Sequence, residues 1–207
     1  NCFKKSSSLG TKRNSVVVLL ELSQLHLDNF RYRLYRNRAG FQGGGIHLAA
    51  ESSLLVASNT RFIENKAGGI EGGIAGSFGG GISAFNGATV IISMSEFTGN
   101  KADEEGGGIL AVSSSFVDIS TTKFSDNDAP FGGAVSVWES VATITHSQFN
   151  SNKAEVYGGG ILVDSATSLA ISDTDFNSNE AAGSGGAIFM NDFGNTDEPY
   201  NMHLDGS

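Results

Sequence analysis

The chain contains 207 residues, which is enough for one domain with its own core. Glycine contributes 28 residues and serine 27, whereas proline contributes only two and cysteine one. These counts exclude a collagen-like rod, an internal disulfide framework and a CxxC metal site. No apolar run approaches the roughly 18 residues of a membrane-spanning helix, so no transmembrane segment is predicted in this chain.

The charge is divided unevenly along the chain. Residues 1–38 contain eight basic and two acidic side chains, a net charge of +6, whereas the remaining residues have a net charge of −15. An acidic body repels phosphate backbones, so we expect no nucleic-acid partner. The basic N-terminal segment, residues 1–33, is predicted to form a cap or a first partial coil. Because the chain opens with Asn1 rather than Met, we expect a processed or partial chain.

A repeat occupies residues 34–190. The motif F-x-x-N-x-A occurs five times, and a sixth copy at Leu34 has leucine in place of phenylalanine. The asparagines are 28, 35, 27, 25 and 27 residues apart. A glycine cluster and an aliphatic residue follow each copy. The five motif phenylalanines are Phe62, Phe97, Phe124, Phe149 and Phe176.

Alternation inside each repeat predicts strands. In the stretch that leads up to Phe124, Val117 and Ile119 are apolar and two residues apart, and the charged Lys123 directly precedes the phenylalanine. This is the period of a strand with one buried face, and no stretch shows the helical i, i+3, i+4, i+7 pattern. Each repeat is therefore predicted to supply three short strands.

A unit of this size cannot bury its apolar faces alone, but identical stacked units can. The fold class predicted is all-β: a parallel β-helix, or solenoid, of about six coils with roughly 27 residues per coil. Phenylalanine then stacks on phenylalanine, and the asparagines form a ladder at a turn. The glycine-rich residues 68–77 are predicted to be a surface insertion. Residues 191–207 lack the motif and are predicted to be a partial coil or cap.

The F-x-x-N and GGA(I,L,V) motifs resemble the repeats of chlamydial polymorphic outer-membrane proteins. The most similar copies are Phe124/Asn127 with residues 132–135 and Phe176/Asn179 with residues 185–188. The resemblance implies a right-handed helix of the pectate-lyase-like (pectin lyase-like) class. It also implies a relation to large surface proteins and adhesins.

Enzymatic sites in such folds need converging carboxylates or a calcium site with a basic residue. The first three candidate acids below are expected in one coil, the last two in another, and Glu139 and Asp164 as neighbours across coils. We expect none of them beside an Arg or Lys in the matching column. We therefore predict surface acids, with no catalytic, cofactor or metal residues; weak Ca²⁺ binding is an alternative. An interaction between His146 and Asp173 is predicted from their shared column. The acids considered are Asp118, Asp126, Asp128, Glu139, Asp164, Asp173 and Asp175.

One group of outward positions after the glycine clusters is apolar, which is unusual for a solvated strand. Such a stripe is typical of a partner surface or a ligand groove. Alternatively, residues 68–77 or the N-terminal segment cover it. The stripe residues are Phe85, Leu110, Val112, Trp138, Leu162 and Phe189.

Together these patterns favour a non-catalytic extracellular or cell-surface β-helix, a structural protein that acts as rigid scaffold and adhesion surface for a protein or glycan partner. Two alternatives remain open: a fragment of a polysaccharide lyase or hydrolase, and a subunit of a filament or larger complex with neighbouring subunits as partners. A convergent carboxylate groove favours the enzyme, and a subunit contact through the Trp138 face favours the structural role.

Overall fold

The computed structural model describes residues 18–19, 24–27, 32–49, 53–69, 76–165, 168–191 and 201–205. These residues form strands joined by tight turns, and they include no helix, hence no helix able to span a membrane. The strands are β1 (Val18–Leu19), β2 (Gln24–Leu27), β3 (Arg33–Tyr35), β4 (Arg38–Ala39), β5 (Ile46–Leu48), β6 (Leu54–Ser58), β7 (Arg61–Ile63), β8 (Lys66–Ala67), β9 (Ile82–Ala84), β10 (Thr89–Ser93), β11 (Glu96–Thr98), β12 (Lys101–Ala102), β13 (Ile109–Val112), β14 (Phe116–Ser120), β15 (Lys123–Ser125), β16 (Asp128–Phe131), β17 (Val135–Trp138), β18 (Val141–Thr145), β19 (Gln148–Asn150), β20 (Lys153–Tyr157), β21 (Ile161–Asp164), β22 (Ser168–Ser172), β23 (Asp175–Asn177), β24 (Glu180–Ala181), β25 (Ile188–Asn191) and β26 (Asn201–Asp205).

The strands assemble into four parallel sheets, each of which takes one strand from every coil. Sheet A contains β1, β5, β9, β13, β17, β21 and β25, and sheet B contains β2, β6, β10, β14, β18, β22 and β26. Sheet C contains β3, β7, β11, β15, β19 and β23, and sheet D contains β4, β8, β12, β16, β20 and β24. Every pairing is between equivalent positions of successive coils, so the predicted parallel β-solenoid is confirmed.

Each coil has four strands, and the prediction of three was wrong. The additional strand begins directly after the motif asparagine, as in Lys101–Ala102, where the lysine points outward and Ala102 is buried. The sequence pattern predicts only a turn at the motif asparagine. A pair of residues is too short to show alternation of its own, but its copies in adjacent coils pair in register and form sheet D.

The interior consists of columns of like residues. The rings of Phe62, Phe97, Phe124, Phe149 and Phe176 stack with centroids 4.4–4.9 Å apart and planes within 6–14° of parallel. The first four are fully buried. Phe176 is only partly buried because, among the described residues, no strand of sheet C lies beyond β23. The prediction of a continuous stack is thus confirmed, and its last ring is partly open.

The motif asparagines form the predicted ladder. Asn127 accepts hydrogen bonds at Oδ1 from the backbone N and the Nδ2 of Asn100, both at 3.0 Å. Its own Nδ2 donates to Asn152 Oδ1 and to the carbonyl of Phe97, both at 2.9 Å. Asn65, Asn100, Asn127 and Asn152 are fully buried, whereas Asn179 in the last coil is partly buried.

A second polar ladder lies two residues before the phenylalanines. The hydroxyl of Thr122 accepts from the backbone N of Ser95 at 3.4 Å and donates to the carbonyl of Ser120 at 2.8 Å. The same arrangement joins Thr60 to Ser95 and Thr122 to Ser147. The two ladders satisfy backbone groups at buried corners, where an unpartnered group is costly.

The glycine clusters turn the chain from sheet D to sheet A. The first glycine of every cluster has a positive φ, for example 63° at Gly106. The second glycine is required by its neighbour: a Cβ on Gly107 would lie 2.2 Å from the carbonyl oxygen of Gly133 and 2.7 Å from the backbone of Asp128. At the third position, alanine replaces glycine in two coils, as at Ala134.

Substitution of the second and third glycines is therefore expected to have unequal effects. Gly107→Ala forces backbone against backbone and should lower the free energy of unfolding by about 1–3 kcal/mol. Gly108→Ala brings a Cβ to 2.7 Å from the Ala134 carbonyl oxygen, a contact that other coils accommodate with alanine. Urea unfolding of both variants measures the difference, and equal losses would contradict the role assigned to Gly107.

The ends of the solenoid extend the sheets. In the basic N-terminal segment, β1 pairs with β5 and β2 pairs with β6, so a sequence element predicted as a cap or partial coil contains strands of the first coil. In the C-terminal tail, β26 pairs with β22 over five residues. Of the glycine-rich insertion, residues 70–75 lie outside the described part of the chain.

Candidate interaction face on sheet A

The outer face of sheet A contains the stripe predicted from the sequence. Leu110 and Leu162 point away from the core but are 1% and 2% exposed, so a partner cannot reach them in this conformation. Val112 and Trp138 are half-buried neighbours in register, and Phe85 and Phe189 are also half-buried. These four residues are the part of the stripe open to a partner.

Polar residues interrupt the stripe. Leu110 pairs in register with Ser83 on one side and Ser136 on the other, and Trp138 is followed in its column by Asp164. Asp164 is 1% exposed and accepts a hydrogen bond at Oδ1 from the hydroxyl of Ser165 at 3.1 Å. The face is therefore amphipathic rather than continuously apolar.

A row of side chains borders this face and was missed by the sequence reasoning. It consists of the residues directly before the glycine clusters, which pair as parallel bridges; we call it the pre-glycine row: Gln42, Phe78, Glu105, Phe131, Tyr157 and Ser184. Tyr157 stacks on Phe189 with centroids 4.4 Å apart, and Phe78 lies 6.3 Å from Phe85. The sequence signal for this row is that the residue directly before the glycine cluster is aromatic in three coils.

Glu105 is the only acid in the pre-glycine row. Ser136 Oγ donates to Glu105 Oε2 at 3.3 Å, and the indole Nε1 of Trp138 donates to Ser136 Oγ at 3.2 Å. Burial raises the pKa of Glu105 to about 7, and the hydrogen bond from Ser136 opposes this rise. Glu105 thus connects the row to Trp138 through Ser136.

Stability should therefore depend on pH through Glu105. The folded chain holds this proton at pH values where the unfolded chain has lost it, so its contribution is full below about pH 4.5 and is lost as the pH rises towards 7. Glu105→Gln should remove a fall of about 3 kcal/mol over this range. Urea unfolding at several pH values tests it, with the exposed Glu155→Gln as control. An unchanged slope in Glu105→Gln would contradict the prediction.

His47 lies on the same face, and its titration changes the stability with pH in the direction opposite to that of Glu105. Its Nδ1 is 2.7 Å from Ser83 Oγ, and its ring lies 5.7 Å from that of Phe85. Burial lowers the pKa of His47. When the pH dependence of stability of Glu105→Gln is subtracted from that of the native chain, the His47 contribution cancels, because both chains contain His47.

A separate groove of about 610 Å³ follows the corner between sheets B and C. Its floor includes Asn59, Met94, Thr121 and His146, all with φ between 46° and 51°. His146 Nε2 lies 3.4 Å from Asp173 Oδ2, which confirms the predicted interaction.

The charged groups of this groove are largely paired with each other. Arg61 Nε lies 3.2 Å from Glu96 Oε2, and Lys123 lines the groove one coil further on. This arrangement offers hydrogen bonds to an extended polymer. Among the lining residues, Glu96 is the one carboxylate, so the described lining does not provide the acid pair that glycoside hydrolysis uses.

The prediction that no candidate acid lies beside a basic residue was wrong for Asp128. Lys101 Nζ is 2.7 Å from Asp128 Oδ2, because the residue after the motif asparagine occupies one column in every coil. Asp118 pairs instead with Ile91 and Thr143, and Asp126 turns a corner at a φ of 57°. Over the described ranges, no three His, Cys, Asp or Glu side chains converge as a metal site.

The architecture defines a parallel β-solenoid with a repeated F-x-x-N and glycine-cluster coil. Comparison with known families agrees: residues 95–112 and 173–191 match the model of the Chlamydia polymorphic membrane protein repeat. Each matched segment contains one motif phenylalanine, its asparagine and the following glycine cluster. The resemblance of the repeat seen in the sequence is confirmed, and the family that this repeat resembles is surface-associated. No curated protein and no solved structure gave a significant match.

Proposed function

We propose that this chain is a non-catalytic cell-surface solenoid that serves as a rigid scaffold and presents the outer face of sheet A to a protein or glycan partner. The single observation that carries the proposal is the amphipathic aromatic face around Trp138, held on continuous side-chain ladders. Half-buried aromatic residues beside polar groups are typical of interaction surfaces. The matched repeat supports a surface location.

Rigidity follows from the interior. The phenylalanine stack and the asparagine ladder both run through successive coils without interruption from Asn65 to Asn152. A side chain on sheet A is therefore fixed relative to its copies in the neighbouring coils, at the strand spacing of about 4.8 Å. Such a surface loses little conformational entropy when a partner binds.

Trp138 provides a direct test because it is the only tryptophan in the chain. Beads coated with the protein are scored for attachment to cultured cells, and soluble neutral and sulfated glycans are titrated against indole fluorescence. Attachment should fall by about tenfold in Trp138→Ala, as for an aromatic hot spot. Phe116→Ala, which removes an aromatic side chain of a residue 38% exposed on sheet B, is the matched control and should attach normally. Equal attachment by both variants would refute the assignment of the partner-binding surface to the outer face of sheet A.

The polysaccharide-active alternative rests on the groove between sheets B and C. The observation in its favour is the His146–Asp173 pair beside an open groove lined by residues of four successive coils. Incubation with polygalacturonate, followed by ultraviolet detection of unsaturated ends and a reducing-sugar assay, distinguishes the two functions. Product formation that is abolished in His146→Ala would replace the scaffold proposal with the enzymatic one.

A further inference from the structure

The outer surface of sheets C and D is basic in the coils that contain β3 and β7. Its side chains project sideways from the solenoid, and all of them are exposed except the half-buried Lys66. Among the described outward positions of these two sheets in these two coils, the one acid is Glu64. We call this group of cations the basic patch: Arg33, Arg36, Arg38, Arg61 and Lys66.

The basic patch has more positive charge than the neighbouring acids neutralise. Arg33 lies in register with Arg61, and Arg38 lies in register with Lys66. Like charges directly opposite each other on neighbouring strands are destabilising. Among the described residues, neither Arg33 nor Arg38 has an ion-pair partner, whereas the other three cations pair with a carboxylate of the next coil: Arg36 with Glu64, Arg61 with Glu96 and Lys66 with Asp103.

The charged ends of Arg38 and Lys66 converge above Gly69, which is exposed. A Cβ added to Gly69 would lie 2.7 Å from Arg38 Nη2 and 2.9 Å from Lys66 Nζ. Arg38 Nε donates a hydrogen bond to the carbonyl of Gly68 at 3.1 Å, which uses one of the five N–H groups of the guanidinium. Two adjoining cationic groups with further donors therefore border a position where the chain has no side chain, and this arrangement suits a bound anion.

Tyr35 holds the other two arginines of the first of these coils at the surface. The guanidinium carbons of Arg33 and Arg36 lie 5.5 Å and 4.7 Å from the centre of the Tyr35 ring, and Tyr35 is 44% exposed. Such cation–π contacts favour a limited set of arginine conformations. The two guanidinium groups therefore lose less conformational entropy when they bind an anion.

We propose that the basic patch binds a sulfated polysaccharide, with one sulfate group between Arg38 and Lys66 above Gly69 and another on Arg33. Sulfate oxygens accept several hydrogen bonds, which matches the guanidinium and ammonium donors. Cations on neighbouring coils are separated by the strand spacing of about 4.8 Å, so a chain with closely spaced sulfates contacts several of them at once. The bound sulfates also reduce the repulsion between the opposed cations.

The charge of the rest of the chain favours a narrow, flexible polyanion over a broad one. Residues 39–207 have a net charge of −15, and Glu96 and Asp103 border the basic patch in the next coil. An anionic membrane or a nucleic-acid duplex extends past the patch and is repelled by this acidic body. A single polysaccharide chain can follow the two basic coils alone. The surface association of the family that the repeat matches also favours a glycan over a nucleic acid.

Binding of a fluorescently labelled heparin octasaccharide to the 207-residue chain, measured by anisotropy, tests the proposal. The octasaccharide should bind in about 0.1 M salt and be released in about 1 M salt, where the Debye length falls to about 3 Å. Arg33→Gln/Arg38→Gln should weaken binding by about tenfold or more. The urea midpoint of this variant should be no lower than that of the parent chain, because two like-charge contacts are removed.

The matched control is Lys123→Gln/Lys153→Gln, which removes the same charge from exposed positions of the same two columns and should bind like the parent chain. Trp138→Ala should also bind normally, so this site is tested independently of the sheet A face. Equal losses in the two double variants, or a loss in Trp138→Ala, would overturn the proposal. It would also be overturned by a parent chain that does not bind, or that binds desulfated octasaccharide, oligothymidylate or phosphatidylserine vesicles as tightly.

Discussion

Phe124→Ala is expected to lower the free energy of unfolding by about 3–5 kcal/mol. The ring of Phe124 is fully buried in the middle of the stack, 4.8 Å from Phe97 and 4.7 Å from Phe149. Its removal leaves a cavity that the neighbours cannot fill, because each of them is held at its own coil by backbone pairing on both sides. Urea unfolding followed by far-ultraviolet circular dichroism measures the loss.

Phe116→Ala is the matched control for this prediction. Phe116 is the first residue of the sheet B strand β14, in the same coil as Phe124, and it points outward and is 38% exposed. Its truncation should cost well under half as much, about 1 kcal/mol or less. If both variants lose the same stability, the stack does not contribute more than ordinary surface packing.

The core of the fold could be predicted because its signal recurs in residue type and spacing. Phenylalanine and asparagine keep their identity in five coils, so the stack and the ladder can be read directly from the alignment of the chain with itself. The same logic places Lys101 and Asp128 in one column, because each directly follows a motif asparagine, so their ion pair is also predictable from the sequence.

The remaining features depend on geometry that a linear pattern does not contain. Alternation gives the direction of Leu110 but not its solvent access, which is 1% although it points outward. The pre-glycine row has a fixed place directly before each glycine cluster, but its residue type changes from Phe78 to Glu105 to Phe131, so its continuity across the coils is seen only in the bridges. The raised pKa of Glu105 follows from that same position, beside Ser136 and the Trp138 indole.

The buried motif asparagines occupy positions where an aliphatic residue of the same size would also fit, but their amides make hydrogen bonds as well. The Asn127 amide satisfies four groups besides itself: the backbone N and the side chain of Asn100, the carbonyl of Phe97 and the side chain of Asn152. An apolar residue of the same size cannot do so, and each buried group left unpartnered costs about 1–3 kcal/mol.

Asn127→Leu is therefore expected to destabilise the chain by at least about 3 kcal/mol, since the Asn100 amide and the Phe97 carbonyl both lose their partner. Asn150→Leu is the control: Asn150 lies in the sheet C strand β19, and its Oδ1 accepts a hydrogen bond from Asn177 Nδ2 at 3.3 Å on the surface. Its replacement should change stability by about 0.5 kcal/mol or less. Thermal unfolding of the two variants compares them. Equal shifts would show that the amides fill space without supporting the turns, and the corner geometry of every coil would then need another explanation.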